Sequence, residues 1–161
     1  LVREYCGDLM KMLSAKGQDR GVIFGIGDPV PSLAEFCRSY SQALRTVDLA
    51  SRLCDERIAT YRRYILCELI YDSPNAKLAL IQRIKPLLAY DEEHNTQLLY
   101  TLETYFNNCQ NSVKTSKALF IHRNTLLYRL DRIAEILDLN YNDSEQMLTF
   151  QLALKAFLMC Q

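Results

Sequence analysis

No C-x-x-C pair occurs in this chain, although it has six cysteines (Cys6, Cys37, Cys54, Cys67, Cys109 and Cys160), and its two histidines lie far apart. That spacing speaks against both a zinc site and a disulfide scaffold, and reads as small hydrophobes in the helices of a reduced cytoplasmic protein. Net charge is also absent, with 19 basic against 19 acidic side chains, so bulk electrostatics announce no nucleic-acid partner. Long hydrophobic runs are missing too. The first apolar stretch, Val22–Ile26, is brief, and nothing resembles a secretion signal or a membrane span. The chain opens on Leu1 and not on methionine, from which an upstream portion is expected.

What is present is a chain of 161 residues, 49% apolar, enough for one ordinary core or two small ones. Val2, Tyr5, Cys6, Leu9, Met10 and Leu13 recur at a helical period that ends before Lys16–Gly17. GVIFGIG at 21–27 reads as a buried strand running into a loop. Its glycines at 25 and 27 lack the rest of any phosphate-binding signature, which favours a tight sheet edge and turn over a ligand loop. Ser32 with Glu35 predicts a capping box. The helix behind it, reaching about Leu53, turns Leu33, Phe36, Cys37, Tyr40, Ala43, Leu44 and Val47 inward. A short strand at Ile58–Tyr61 and a helix at Tyr64–Ile70 follow, interrupted at Asp72-Ser73-Pro74-Asn75. A shorter helix, Ala76–Ile84, leads to Pro86 and the linker-like PLLAYDEEHN. One or two strands are too few for a stable sheet, so partner strands are expected upstream.

From Asn95 the pattern is helical throughout. Leu98, Leu99, Leu102, Tyr105 and Phe106 make one helix, Val113–Leu119 a second, and a third runs from near His122 to Leu137, with a last helix over Gln146–Cys160. The stretch 110–132 holds five basic residues (Lys114, Lys117, Arg123, Arg129, Arg132) against Asp131 alone. At one hundred degrees per residue, Leu126, Leu130, Ile133 and Leu137 share a stripe flanked by Leu127 and Ala134. On the opposite arc lie Asn124, Thr125, Tyr128 and Arg132, with Arg129 at its margin and Arg123 in the first turn. A basic amphipathic helix is often only a solvated face. Here it follows a short helix whose Ala118 suits a close crossing and a corner residue, Ile121, able to plug the bend, and that combination points to a helix-turn-helix reader of duplex DNA.

The segment LFIHRNTLLYRLDRIAEILDLN, preceded by LLYTLETYFNNCQNSVKTSKA, resembles the C-terminal DNA-binding domain of bacterial regulators of the purine-catabolism and sugar-diacid type. The resemblance rests on Tyr90-Asp91 ahead of Thr101-Leu102, on Ala118-Leu119, and on the run His122–Leu126 with Tyr128–Leu130. The chain departs from that pattern at Thr115-Ser116-Lys117-Ala118, where the family commonly has Thr-Ala, and near Leu137–Asp138, where a glycine is usual. The same corner is similar to that of the nucleoid protein called factor for inversion stimulation, which implies DNA contacts by Arg123 and Thr125. Upstream, GVIFGIG with Ser39-Tyr40 and Gln42-Ala43 resembles the end of a degenerate diguanylate-cyclase-like domain. No Gly-Gly-Asp/Glu-Glu-Phe motif or metal-binding carboxylate cluster accompanies it, and Asp48, Asp55 and Glu56 read as surface acids.

The expected fold class is therefore mostly α, a C-terminal helix-turn-helix helical bundle behind a partial α/β, cyclase-like segment, with 1–72 as the regulatory segment, 73–94 as helical linker and 95–161 as the DNA-binding domain. The expected function is sequence-specific duplex DNA binding by a regulator of a catabolic operon, with 122–137 as recognition helix. Arg123 reads a base edge, and Asn124 and Tyr128 touch bases or sugars. Thr125, Arg129, Arg132, Lys114 and Lys117 hold phosphates, Thr115 joins the same DNA-binding set, and His122 is a cap or phosphate neighbour. No catalytic residue, cofactor or metal is expected. A homodimer on two half-sites is, together with a small-molecule effector bound upstream and no membrane. The rival readings are a small-molecule-sensing or protein-interaction module without direct DNA reading, and a nucleotide cyclase or hydrolase remnant.

Overall fold

The computed structural model describes residues 1–53 and 56–160, so the expectations for Cys54 and Asp55 lie outside the described residues. The chain divides into two compact units, Leu1–Ser73 with Leu158–Gln161, and Pro74–Phe157.

In the first unit, α1 (Val2–Ala15) ends at Lys16, where Gly17 turns the chain with φ +65°. Two short strands, β1 (Phe24–Ile26) and β2 (Ile58–Thr60), pair in parallel with Gly25 opposite Ala59. Parallel neighbours need a crossover, and α2 (Phe36–Leu53) supplies it. A Cβ on Gly25 would stand 2.3 Å from the Ala43 carbonyl oxygen, and one on Gly27 2.1 Å from that of Ser39. The glycines therefore admit the backbone of α2 itself. This gives a physical reason for small residues at Ser39 and Ala43.

That seating corrects the expected face of α2. Its buried residues are Thr46, Leu49, Ala50 and Leu53, whereas Leu33, Phe36, Cys37, Tyr40 and Leu44 are exposed, because the Ser39–Ala43–Val47 stripe must face the glycines. The capping box is not formed either. Leu33–Glu35 is a single 3-10 turn, the Ser32 side chain makes no cap bond, and Glu35 pairs with Arg38 instead. The following helix, α3 (Tyr61–Tyr71), buries Tyr64, Cys67 and Ile70 and packs on α2. Of the five described cysteines only Cys67 is buried, while Cys37, Cys109 and Cys160 are exposed.

The second unit is wholly helical: α4 (Pro74–His94), α5 (Leu98–Asn107), α6 (Ser112–Ala118), α7 (Arg123–Leu137) and α8 (Ser144–Leu158). The helix expected to stop at Ile84 continues through Pro86. That proline is exposed, and Ile84 and Leu87 on either side of it are fully buried, so core packing carries the helix across the missing N–H. The stretch read as a linker is thus part of the core. There Ile84 and Leu87 join Leu98, Leu102, Leu126, Leu130, Ile133, Leu137, Met147, Phe150 and Leu154.

Candidate nucleic-acid interface

The four-residue stripe of the α7 helix plot is buried as expected, but Leu127, placed at its flank, faces outward at 41% exposure. Leu126, Leu130, Ile133 and Leu137 are its buried residues, and Arg123, Asn124, Thr125, Leu127 and Tyr128 are exposed. His122 caps the helix, its Nδ1 accepting the Asn124 amide at 3.2 Å. Arg123, the first residue of the helix, is exposed beside this cap. Tyr128 is 70% exposed, one turn further along.

The corner before α7 is built from local hydrogen bonds. Asn111 caps α6, its side-chain oxygen accepting the amides of Val113 and Lys114. At the other end the Ile121 amide reaches the Ser116 carbonyl and the Phe120 amide reaches that of Lys117, which closes α6 with Phe120 left-handed at φ +54°. Ile121 packs against the core, as a corner plug should. Ala118 does not serve as the small crossing residue: it is exposed, and Thr115 and Ser116 are the buried residues of α6. The Thr115 hydroxyl donates to the Asn111 carbonyl at 2.8 Å, so its position is in the core and not on the exposed face.

Lys114, Lys117 and Arg123 are exposed and have no ion-pair partner among the described residues. Arg129 and Arg132 are held instead. The Arg129 guanidinium donates to the buried Thr101 hydroxyl at 3.1 Å. Arg132 donates to the Tyr90 phenol at 3.3 Å and pairs with Glu135 at 2.7 Å, contacts that raise its pKa, Glu135 contributing most. The expected phosphate binders therefore fall into a free set at the corner and a braced set behind it.

The residues that sequence reasoning assigned no physical role here are Tyr90 and Asp91. The Asp91 carboxylate accepts the amides of Leu98 and Leu99, both at 2.8 Å, and the Thr96 hydroxyl at 2.5 Å. It caps α5 from the end of α4 and neutralises the orphan donors of that helix start. The signal was visible in the sequence as an acid seven residues ahead of the helix, at a spacing too long for an ordinary cap. The glycine usual near Leu137–Asp138 also finds its reason, since Asp138 ends α7 with φ +50°, a conformation that glycine adopts freely.

Among the described residues no group of three or more His, Cys, Asp or Glu is placed to hold a metal ion, and no helix is long and apolar enough to cross a membrane.

A family profile described as the PucR C-terminal helix-turn-helix domain matches residues 98–156. The chain is 30% identical over 131 residues to the carbohydrate diacid regulator of Escherichia coli (strain K12), covering 81% of this chain and 34% of that protein. It is 32% identical over 134 residues to the proline-responsive transcriptional activator PutR of Bacillus subtilis (strain 168), covering 76% of this chain and 31% of that one. A shorter match, 39% over 69 residues, joins it to the purine catabolism regulatory protein of Bacillus subtilis, covering 42% of this chain and 13% of that protein. The chain spans about a third of the length of the first two relatives.

Proposed function

Because the chain belongs to the PucR/CdaR family of DNA-binding transcriptional regulators, we propose that its Pro74–Phe157 unit reads a specific duplex sequence with α7 in the major groove. The supporting observation is the division of α7 into an anchored leucine and isoleucine stripe and a free first half presenting Arg123, Asn124, Thr125 and Tyr128. Arg123 reads a base edge, its fork matching the two acceptors of guanine, while Asn124 and Tyr128 touch bases or sugars. Thr125, Lys114 and Lys117 hold phosphates, and His122 stands beside them as the cap of the recognition helix. Arg129 and Arg132 contribute from their braced positions, and Thr115 acts through packing alone.

One such unit covers few base pairs, so the working species on this reading is a homodimer on two half-sites. The operon is catabolic, in keeping with relatives named for carbohydrate diacids, proline and purines. Effector binding is assigned to sequence outside these residues, and the chain itself performs no catalysis.

Duplex binding across a salt series tests the reading. Arg123→Ala relaxes both affinity and specificity, by about 1–3 kcal/mol at one base position, whereas Lys114→Ala weakens all sequences alike and lowers the salt slope by about one phosphate. Failure of the dimer to prefer any duplex over random DNA would refute it.

A further inference from the structure

Behind the exposed face of α7 lies a cavity of about 530 Å³ whose walls include Tyr90, Thr96, Gln97, Thr125, Arg129 and Arg132. We propose that it seats a backbone phosphodiester of the duplex, and that the α4–α5 connection, through Gln97, forms its outer lip. The inference rests on the DNA-binding reading above and adds to it a site on a segment outside the helix-turn-helix.

The position of the cavity carries the first part of the argument. Thr125, Tyr128 and Arg132 stand at i, i+3 and i+7 on α7, so they share one face, and all three line the cavity. A duplex laid on that face covers its mouth. Phosphates are the parts of a duplex that protrude, whereas base edges lie at the groove floor, so a recessed pocket beside a groove-entering helix meets the backbone first.

Chemistry carries the second. Two guanidiniums line the same cavity, and each is fixed by contacts elsewhere: Arg129 by the buried Thr101 hydroxyl, Arg132 by the Tyr90 phenol, the Tyr90 ring face and Glu135. A guanidinium has five N–H donors, and the bonds to Thr101, Tyr90 and Glu135 leave others on both side chains for an acceptor. Rotamer entropy already lost in the free protein is not lost again on binding, which makes braced arginines stronger anion ligands than mobile lysines. Two carboxylates adjoin lining residues in sequence, Asp91 beside Tyr90 and Asp131 beside Arg132, and neither is part of the cavity wall; Asp91 has its oxygens turned to the α5 amides and the Thr96 hydroxyl. The α5 amides of Leu98 and Leu99 are consumed by that bond, so the seat is made by side chains and not by a helix terminus.

Gln97 gives a clean test because it is exposed and its side chain makes no cap bond to α5. In the full chain, Gln97→Glu adds an acid at the start of α5, which favours the helix, so thermal stability holds or rises. Binding to a labelled random-sequence duplex at low salt should nevertheless weaken about tenfold. Gln97→Lys should bind more tightly, with a salt slope steeper by about one phosphate. Gln18→Glu, the same charge change in the other unit, controls for net charge. The seat is overturned if both Gln97 variants bind like wild type, or if Gln18→Glu loses as much as Gln97→Glu. If wild type itself binds no duplex, the DNA-binding reading falls and the seat with it. Binding by wild type that is indifferent to Gln97 removes only the seat.

Discussion

The guanidinium of Arg132 lies over the ring of Tyr90, its Cζ 4.9 Å from the centroid, and donates through Nε to the phenol oxygen of the same residue. The two positions are 42 residues apart, on α4 and α7. On the Tyr90 ring a second group, the His94 imidazole, stacks at 4.0 Å. Replacing Tyr90 by Phe removes only the acceptor and should lower stability by about 0.5–1.5 kcal/mol. Tyr90→Ala removes the ring as well and should lose about 2–4 kcal/mol, read as a fall in the urea midpoint without a change in m-value.

Asp138 and Phe120 are two of the five described non-glycine residues that hold left-handed backbone, where glycine is at ease. Asp138, exposed at the end of α7, also sets a negative charge against the helix C-terminus, and Asp138→Gly should raise stability by about 0.5–1 kcal/mol. Phe120, 95% exposed at φ +54°, should gain by a similar amount as glycine. Thermal melts of the two single variants and the double check both effects, and the gains should add, because the residues close different helices.

The opposite sign is expected at the strand. Gly25→Ala and Gly27→Ala each drive a methyl into a carbonyl of α2 and should destabilise by about 2 kcal/mol or more. Gly7→Ala, within α1 and with nothing within 4 Å, should instead stabilise by about 0.5–1 kcal/mol. A set of three denaturation curves separates the two cases.

Burial lifts the Tyr141 phenol well above the ordinary tyrosine range, and its hydroxyl donates to the Leu130 carbonyl at 2.9 Å. The unfolded chain loses that proton near pH 10 while the folded chain keeps it, so stability is intact below about pH 10 and declines as pH rises further. Tyr141→Phe should be less stable at neutral pH and show a flatter decline above pH 10. Urea midpoints between neutral and alkaline pH measure both.

Much of the second unit was legible because the period of α7 is strong and its four buried positions are all leucine or isoleucine. The end of α4 was not. Pro86 and the charged run after it carry the composition of a linker, and only contacts with residues remote in sequence, such as Tyr90 with Arg132, keep it helical and packed. On α2 the apolar period pointed to the larger side chains. Gly25 in β1 and Gly27 just after it selected a different stripe, and a close backbone approach of that kind leaves no mark in the periodicity of the helix that makes it.

Asp91 sets where the DNA-binding unit can be cut. A truncation at Leu98, the first residue of the profile match, discards Ile84 and Leu87 from the core and the carboxylate that caps α5. Such a fragment would begin on an uncapped helix over an open hydrophobic cleft, and would come out of expression insoluble or molten. A fragment that starts at Pro74, the first residue of α4 and of the second unit, keeps both the core residues and the cap and should express as a folded, soluble protein.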